Sequence, residues 1–385
     1  MRSLFPLALA ALLFAAGCSK DKDVEPPAAL VKFPQTLPVK KVWSQNVGGG
    51  KKQAKLRLGL GPAVDNGVAF AGSDQGELIA VNVDSGRKVW LKKLKLPLSA
   101  GPAAGFGMVV VGTTKGTVIA LDGATGRELW HVRVNSELLS APAISEKVVV
   151  MRSVDGRLHG FNAANGKQLW SVEQQVPRLS LRGTAIPIIA KEAAISGFDN
   201  GKVMAVSLNT GDTVWDTALA SPHGRTELDR LVDIDSAVRA VGDNVFAAGF
   251  QGRTAMLAID SGQIWWAHDM SSYRGLAVDD DNLFVTESDG TVLGLRQRDG
   301  SELWRNEQLK RRGLSAPAVT STAIAVADYQ GYLHWLDKTT GKLVARQRVA
   351  KYRVSNPPVA VQDTVVVLTD SGSMAAFRAT PPPKP

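Results

Sequence analysis

The chain has 385 residues, 44% of them hydrophobic, a formal net charge of +9 and one cysteine. That is enough for a large core, while a lone cysteine excludes internal disulfides and argues against a thiol active site or a cysteine metal centre. The basic residues alternate with acids and only 6% of the chain is aromatic, so the positive balance does not describe a nucleic-acid surface.

Residues 1–17 read as a targeting segment. Arg2 supplies a positive start, and residues 4–16 form an apolar run too short to span a bilayer. The run ends in Ala15-Ala16-Gly17-Cys18, which resembles the lipobox of bacterial lipoproteins, with Ala15 where leucine usually stands. The resemblance implies that Cys18 carries lipid, palmitate included, and becomes the mature N-terminus. Ser19 after it resembles lipoproteins delivered to the outer membrane. Several acyl carbons, at ~0.8 kcal/mol each, then give stable anchoring. Residues 18–37 are polar, contain Pro26, Pro27 and Pro34, and read as a flexible tether.

From residue 38 to 379 one phrase repeats. It reads ALDGATGRELW ending at Trp130, and recurs ending at Trp90, Trp170, Trp215, Trp266 and Trp304, with a degraded copy ending at Ala345. Each copy falls in one frame of Pro, Gly and Trp spaced by fourteen residues, as in Pro102, Gly116 and Trp130. Gly76, Gly156, Gly201, Gly252, Gly290, Gly331 and Gly372 keep that frame. Within a frame, four short apolar runs are separated by three turn signals such as Lys115-Gly116 and Thr125-Gly126. Four antiparallel strands in roughly forty residues make a propeller blade. The last frame lacks a fourth strand, and residues 39–47, with Trp43, are a lone fourth strand before the first frame. The expectation is an all-β, eight-bladed propeller of four-stranded antiparallel blades, closed by pairing the N-terminal strand with the C-terminal three. Closure removes the open edges of the ring. Residues 380–385 read as a disordered Pro-rich tail.

Departures from the frame are the best functional clue, because the fold alone names no activity. Most connections from one Trp to the next frame take ten to thirteen residues, but Trp170 to Pro187 takes seventeen and Trp215 to Val238 twenty-three. Both long connections join an outer strand to the next inner strand, so they emerge side by side near the mouth of the channel. The first, 174–187, carries Leu179, Leu181 and Arg182; the second, 222–235, carries Leu228, Arg230, Leu231, Asp233 and Asp235. An arginine facing two carboxylates, bordered by leucines, has the composition of a protein-binding hot spot. A purely local pairing of Arg182 with Asp233 or Asp235, tying the two loops together, is compatible with it.

The repeat phrase resembles the quinoprotein-type propeller repeat, and RLSLRG with LDRLVDID resembles the BamB family, lipoproteins of the β-barrel assembly machinery of Gram-negative outer membranes. The resemblance implies a non-enzymatic, monomeric scaffold on the periplasmic face of the outer membrane. It implies docking on the POTRA domains of BamA, partly by sheet extension, and through BamA on the other subunits. Leu179, Leu181, Arg182, Asp233 and Asp235 are the contact residues it implies, with unfolded outer membrane proteins as further candidate partners. The alternative is a quinone-dependent dehydrogenase, which shares the repeat. Such enzymes are longer, often carry adjacent cysteines, and hold Ca²⁺ with clustered oxygens. Here Asp84, Asp122 and Asp260 read as hairpin formers. The five histidines (His131, His159, His223, His268, His334) lack metal-ligand spacing. No cofactor and no metal are expected. Trp265, Trp266 and Trp335 read as inter-blade packing. Gly48 to Gly50 with Lys51, Lys52, Lys55 and Arg57 read as a mobile basic loop, on the same face as the basic runs 310–312 and 346–353.

Overall fold

The computed structural model describes residues 25–48, 58–181, 183–221, 225–226 and 228–380. Cys18, the basic run 51–57, Arg182, His223 and the tail 381–385 lie outside the described residues. Eight four-stranded antiparallel sheets form a ring. Seven follow chain order, and the eighth pairs Val39–Asn46 with Ser373–Ala379, followed by Thr364–Leu368 and Val359–Val361. The eight-bladed count and the shared closing blade are therefore as the repeat predicts.

Blade 2 shows why each phrase folds as it does. Its strands are Leu98–Gly105, Met108–Thr113, Thr117–Asp122 and Glu128–Arg133, from the axis outward. The middle strands are almost wholly buried, because both faces of a blade are covered by neighbours. In the last turn, Asp122 Oδ1 accepts from the Thr125 amide at 2.8 Å and its hydroxyl at 2.7 Å. These bonds hold the Asp122 carboxyl below its ordinary value. Asn82 and Asp337 make the same bonds in their own blades. Asp84 and Asp260, read as hairpin formers, fall two residues later in their turns and do something else. Asp84 pairs with Arg378 at 2.5 Å and Asp260 with Lys191 at 2.9 Å, each bridging to the preceding blade.

The core lies between blades. One cluster joins Val110, Val118 and Trp130 of blade 2 to Val149, Met151 and Phe161 of blade 3. At seven of the eight junctions the outer-strand Trp lies against the last turn of the next blade. Trp130 Nε1 donates to Ala163 O at 2.8 Å, and its ring fills the place where a Cβ on Gly166 would come within 2.6 Å. Trp43, Trp90, Trp170, Trp215, Trp266 and Trp304 donate in the same way to Val83, Gly123, Leu208, Ile259, Gln297 and Lys338. Trp265, by contrast, is 53% exposed and corrects the packing expectation for that residue.

Blade 7 carries the degraded phrase, and its geometry explains the degradation. The latch needs a turn between third and outer strands of the next blade. The next blade is the shared one, whose third and outer strands are opposite ends of the chain and have no turn between them. Ala345 stands on the outer strand, and its cross-strand partner is Trp335, so large and small residues have exchanged strands. In blades 2 and 3 the corresponding pairs are Ala120 with Trp130 and Gly160 with Trp170. Trp335 is fully buried, edge-on to Phe377 at 6.0 Å.

The segment 25–37 crosses this unlatched junction. Thr36 and Leu37 donate their amides to Val344 O at 3.0 and 3.1 Å, and Ala28 donates to Lys310 O at 3.0 Å. Arg312 Nη1 donates to Ala28 O at 2.9 Å and Arg346 Nη1 to Val31 O at 3.0 Å, with the Arg346 guanidinium over the Phe33 ring. From Glu25 onward the expected tether is thus a strap bound to blade 7. Arg312 also reaches Asp328 at 2.7 Å and is 3% exposed, so the run 310–312 is not a solvated basic patch throughout.

Candidate functional site

The two stretched connections meet as their length predicts. Leu181 donates its amide to Asp233 Oδ2 at 3.0 Å, which ties the first loop to the second. The second loop is braced from behind: Phe250 donates its amide to Asp233 O at 2.7 Å, and Ile234 donates to Phe198 O at 3.2 Å. Ile234 packs so closely that a Cβ on Gly197 would lie 2.3 Å from its Cγ2. In the outer part of this loop Asp229 Oδ2 accepts from the Arg225 and Thr226 amides at 3.3 and 3.0 Å, and Thr226 Oγ1 accepts from the Asp229 amide at 3.1 Å. This reciprocal cap holds a tight turn that carries Leu228.

The five expected contact residues divide by depth. Leu179 is 39% exposed, and Leu228 beyond the cap is 69% exposed. Leu181 and Asp235 are half-buried. Asp233 is fully buried. From that depth Asp233 acts beneath the surface, on the Leu181 backbone. Arg182 lies outside the described residues, so its pairing with either carboxylate stays an expectation.

Beneath the loops is a group that the sequence did not announce. Arg152 and Asp199 form a fully buried ion pair at 2.6 Å, with the Arg152 guanidinium over the Phe198 ring at 4.6 Å. The carboxylates of Asp199, Asp233 and Asp235 all lie within 4.8 Å of one another. Burial first, then the Asp235 and Asp199 carboxylates, push the Asp233 carboxyl from 3.8 up to about 9. The Leu181 amide and Arg152 act in the opposite direction and do not outweigh them. Burial and the two neighbouring carboxylates thus favour the protonated form of Asp233, a neutral tie. One signal was readable in the sequence. Arg152 occupies the repeat position held by Gly72, Gly112, Gly197 and Ala248 in other blades, so a charge stands where the frame wants a small residue. Asp199 left no such trace, since an Asp before Asn-Gly reads as a turn former.

Comparison with known proteins agrees with this architecture. The family described as outer membrane protein assembly factor BamB matches residues 40–97, 80–306 and 288–380. A relative of that name from Pseudomonas aeruginosa is 47% identical over 370 residues, covering 96% of this chain and 97% of its own. One from Bordetella pertussis is 34% identical over 375 residues, covering 96% of each chain. Among solved structures, BamB from Moraxella catarrhalis superposes with a TM-score of 0.80 at 26% identity, over 89% of this chain and all of its own. A quinohemoprotein alcohol dehydrogenase from Comamonas testosteroni gives a TM-score of 0.69 at 12% identity over 88% of this chain and 76% of its own, which is a likeness of fold alone. The chain belongs to the BamB family of outer membrane protein assembly factors.

Proposed function

We propose that this protein is a non-enzymatic scaffold of outer membrane β-barrel assembly, held by lipid on Cys18 at the periplasmic face of the outer membrane and docked on the POTRA domains of BamA. The observation that carries the docking site is the cross-tied pair of loops at one mouth of the ring, with Leu179 and Leu228 exposed on loops stitched together through Leu181 and Asp233. Exposed leucines on a rigid frame lose little entropy on binding and can fill apolar pockets. Arg182 supplies charge-assisted hydrogen bonds to the partner. Asp233 sets the height of the first loop through Leu181. The relatives' shared name supports the assembly role, and the buried Arg152–Asp199 pair supports a site built for rigidity.

Pull-down of BamA with Leu179→Ala and Arg182→Glu proteins tests the docking site. Loss of retention in both, with unchanged circular dichroism, is expected; wild-type retention by both overturns the assignment. Labelling by a palmitate analogue is expected to vanish in Cys18→Ser, and persistent labelling refutes the anchor. Quinone-dependent dye reduction by the purified protein would overturn the scaffold reading.

A further inference from the structure

The strap over blade 7 rests on a buried group of charges that the docking reading leaves unused. Asp328 and His334 are fully buried and Arg312 is 3% exposed. Arg346, on the outer strand, is half-buried. Asp328 Oδ2 lies 3.0 Å from His334 Nε2 and accepts from Arg312 Nε and Nη2 at 2.8 and 2.7 Å. On the far side of the imidazole, Arg346 Nε donates to His334 Nδ1 at 3.1 Å. Each arginine also holds the strap, Arg312 by Ala28 O and Arg346 by Val31 O, with the Phe33 ring against the Arg346 guanidinium.

A guanidinium nitrogen only donates, so His334 Nδ1 accepts and the single imidazole proton sits on Nε2, toward Asp328. A second proton, on Nδ1, would point at the Arg346 N–H. Two donors and two cations would then stand face to face in a buried place. Arg346 is the member of the pair that can leave, since it borders solvent. Its departure takes the hydrogen bond from Val31 and the guanidinium from Phe33. His334 holds a repeat position filled by Ile79, Ile119, Met204 and Leu293 in other blades. Blade 3 also has a histidine there, His159, with different neighbours: Ser153 Oγ at 2.9 Å and Ser171 Oγ at 3.2 Å. Hydroxyls turn to donate or to accept, so a proton on His159 displaces nothing.

We propose that residues 25–37 form an acid-released strap, in which a proton on His334 Nδ1 displaces Arg346 and with it the hold on Val31 and Phe33. The groups facing His334 set the sign. Burial lowers its affinity for the proton most, the Asp328 hydrogen bond and charge raise it, Arg346 and Arg312 lower it again, and the balance lies below the ordinary 6.5. Burial raises the Asp328 carboxyl, but His334, the Tyr332 amide and Arg312 outweigh it, so Asp328 stays below 3.8 and is a fixed charge above pH 5. Once Arg346 has left, His334 faces one cation fewer and takes the proton more readily. Retention of the strap is therefore complete above the released form's pKa and is lost as pH falls toward that of the strapped form, by up to about tenfold per pH unit. Glu25 is seven residues from Cys18, a reach of at most ~25 Å, and Leu37 is nineteen away, at most ~65 Å. Release thus lengthens a membrane tether, a consequence that rests on the lipid anchor at Cys18, whereas the strap itself does not.

Amide hydrogen exchange on the purified full chain, read by mass spectrometry and divided by the intrinsic rate at each pH, tests it. The reporters are the Ala28, Thr36 and Leu37 amides, which donate to Lys310 O and Val344 O. Protection of residues 26–37 is expected to fall at least about tenfold from about pH 7.5 to about pH 5, while that of Gln168–Glu173, the outer strand beside His159, stays constant. His334→Gln keeps a donor and an acceptor but takes up no proton, and its protection is expected to be equal at both values. If that variant does not fold, Arg346→Gln decides: its strap is expected to be loose at both values, because the group that the proton displaces is already absent. The readout is the same with or without lipid on Cys18, so failure of the anchor and failure of the strap are told apart. Constant protection in the unaltered chain, a fall shared by Gln168–Glu173, a pH dependence kept by His334→Gln, or undiminished protection in Arg346→Gln overturns the proposal.

Discussion

Arg152 and Asp233 illustrate two opposite ways of burying a charge. Arg152 is met by a counter-charge, Asp199, 2.6 Å away. Removing the cation leaves that carboxylate buried beside two others, so Arg152→Leu is expected to cost about 3–5 kcal/mol, read by chemical denaturation. Asp233 instead gives up its charge. Its carboxyl is raised from 3.8 to about 9, so between those values the folded state binds a proton that the unfolded state releases. The stabilising contribution is complete below about pH 4 and is lost as pH rises toward 9, with a slope of at most about 1.4 kcal/mol per pH unit. Asp233→Asn keeps an acceptor for the Leu181 amide and cannot ionise. Its melting temperature is expected to match wild type at pH 4 and exceed it at pH 8; a variant less stable at pH 8 contradicts the assignment.

At the scale of the element, the repeat is a latch as much as a blade. The outer-strand indole both donates to the next blade and occupies the space over its turn glycine. Trp170→Phe removes the donor and leaves Leu208 O buried without it, for an expected loss of about 1–3 kcal/mol. Gly211 is under two constraints, a φ of +78° and a would-be Cβ 2.8 Å from Trp170 Cβ. Gly67 has a φ of +72° and nothing within 4 Å. Alanine at Gly67 is therefore expected to cost about 1 kcal/mol from backbone strain alone, and alanine at Gly211 about 3 kcal/mol because packing adds to it. Equal costs in thermal melts would show that the latch contact is slack.

For the whole molecule, closure decides the design. A ring made from one chain must join its ends somewhere, and the joining blade lacks a hairpin on its outer side. The blade before it therefore has no turn to latch on, which is why Trp is exchanged for Ala345 and why the segment 25–37 lies across that junction. Replacing residues 25–35 with a Gly/Ser linker of equal length removes Phe33 from beneath the Arg346 guanidinium and Glu25 from Arg311 and loosens the backbone, for an expected cost of about 1–3 kcal/mol. Faster amide exchange is expected in Leu343–Arg348 before any other outer strand. The exchange Trp335→Ala with Ala345→Trp restores the phrase of the other blades but not the turn it needs. It is expected to remain destabilised, and a wild-type melting temperature would refute this account of the seam.

The local repeat was enough to determine the blade count, the strand order and the shared blade, because period, turn glycines and the missing fourth strand are all short-range features. The two stretched loops were legible too, as insertions against a constant frame; of their leucines, Leu179 and Leu228 lie at the surface, while Leu181 is half-buried and Leu231 buried. What each charged residue there does was decided only by the tertiary structure. Asp233 and Asp235 differ by two positions in sequence, yet one is a buried neutral tie and the other lines the channel, since depth follows from which strand end each loop is stitched to. Arg152 stands where Gly72, Gly112 and Gly197 stand in other blades, but only the packing of its blade against the next sets it against Asp199.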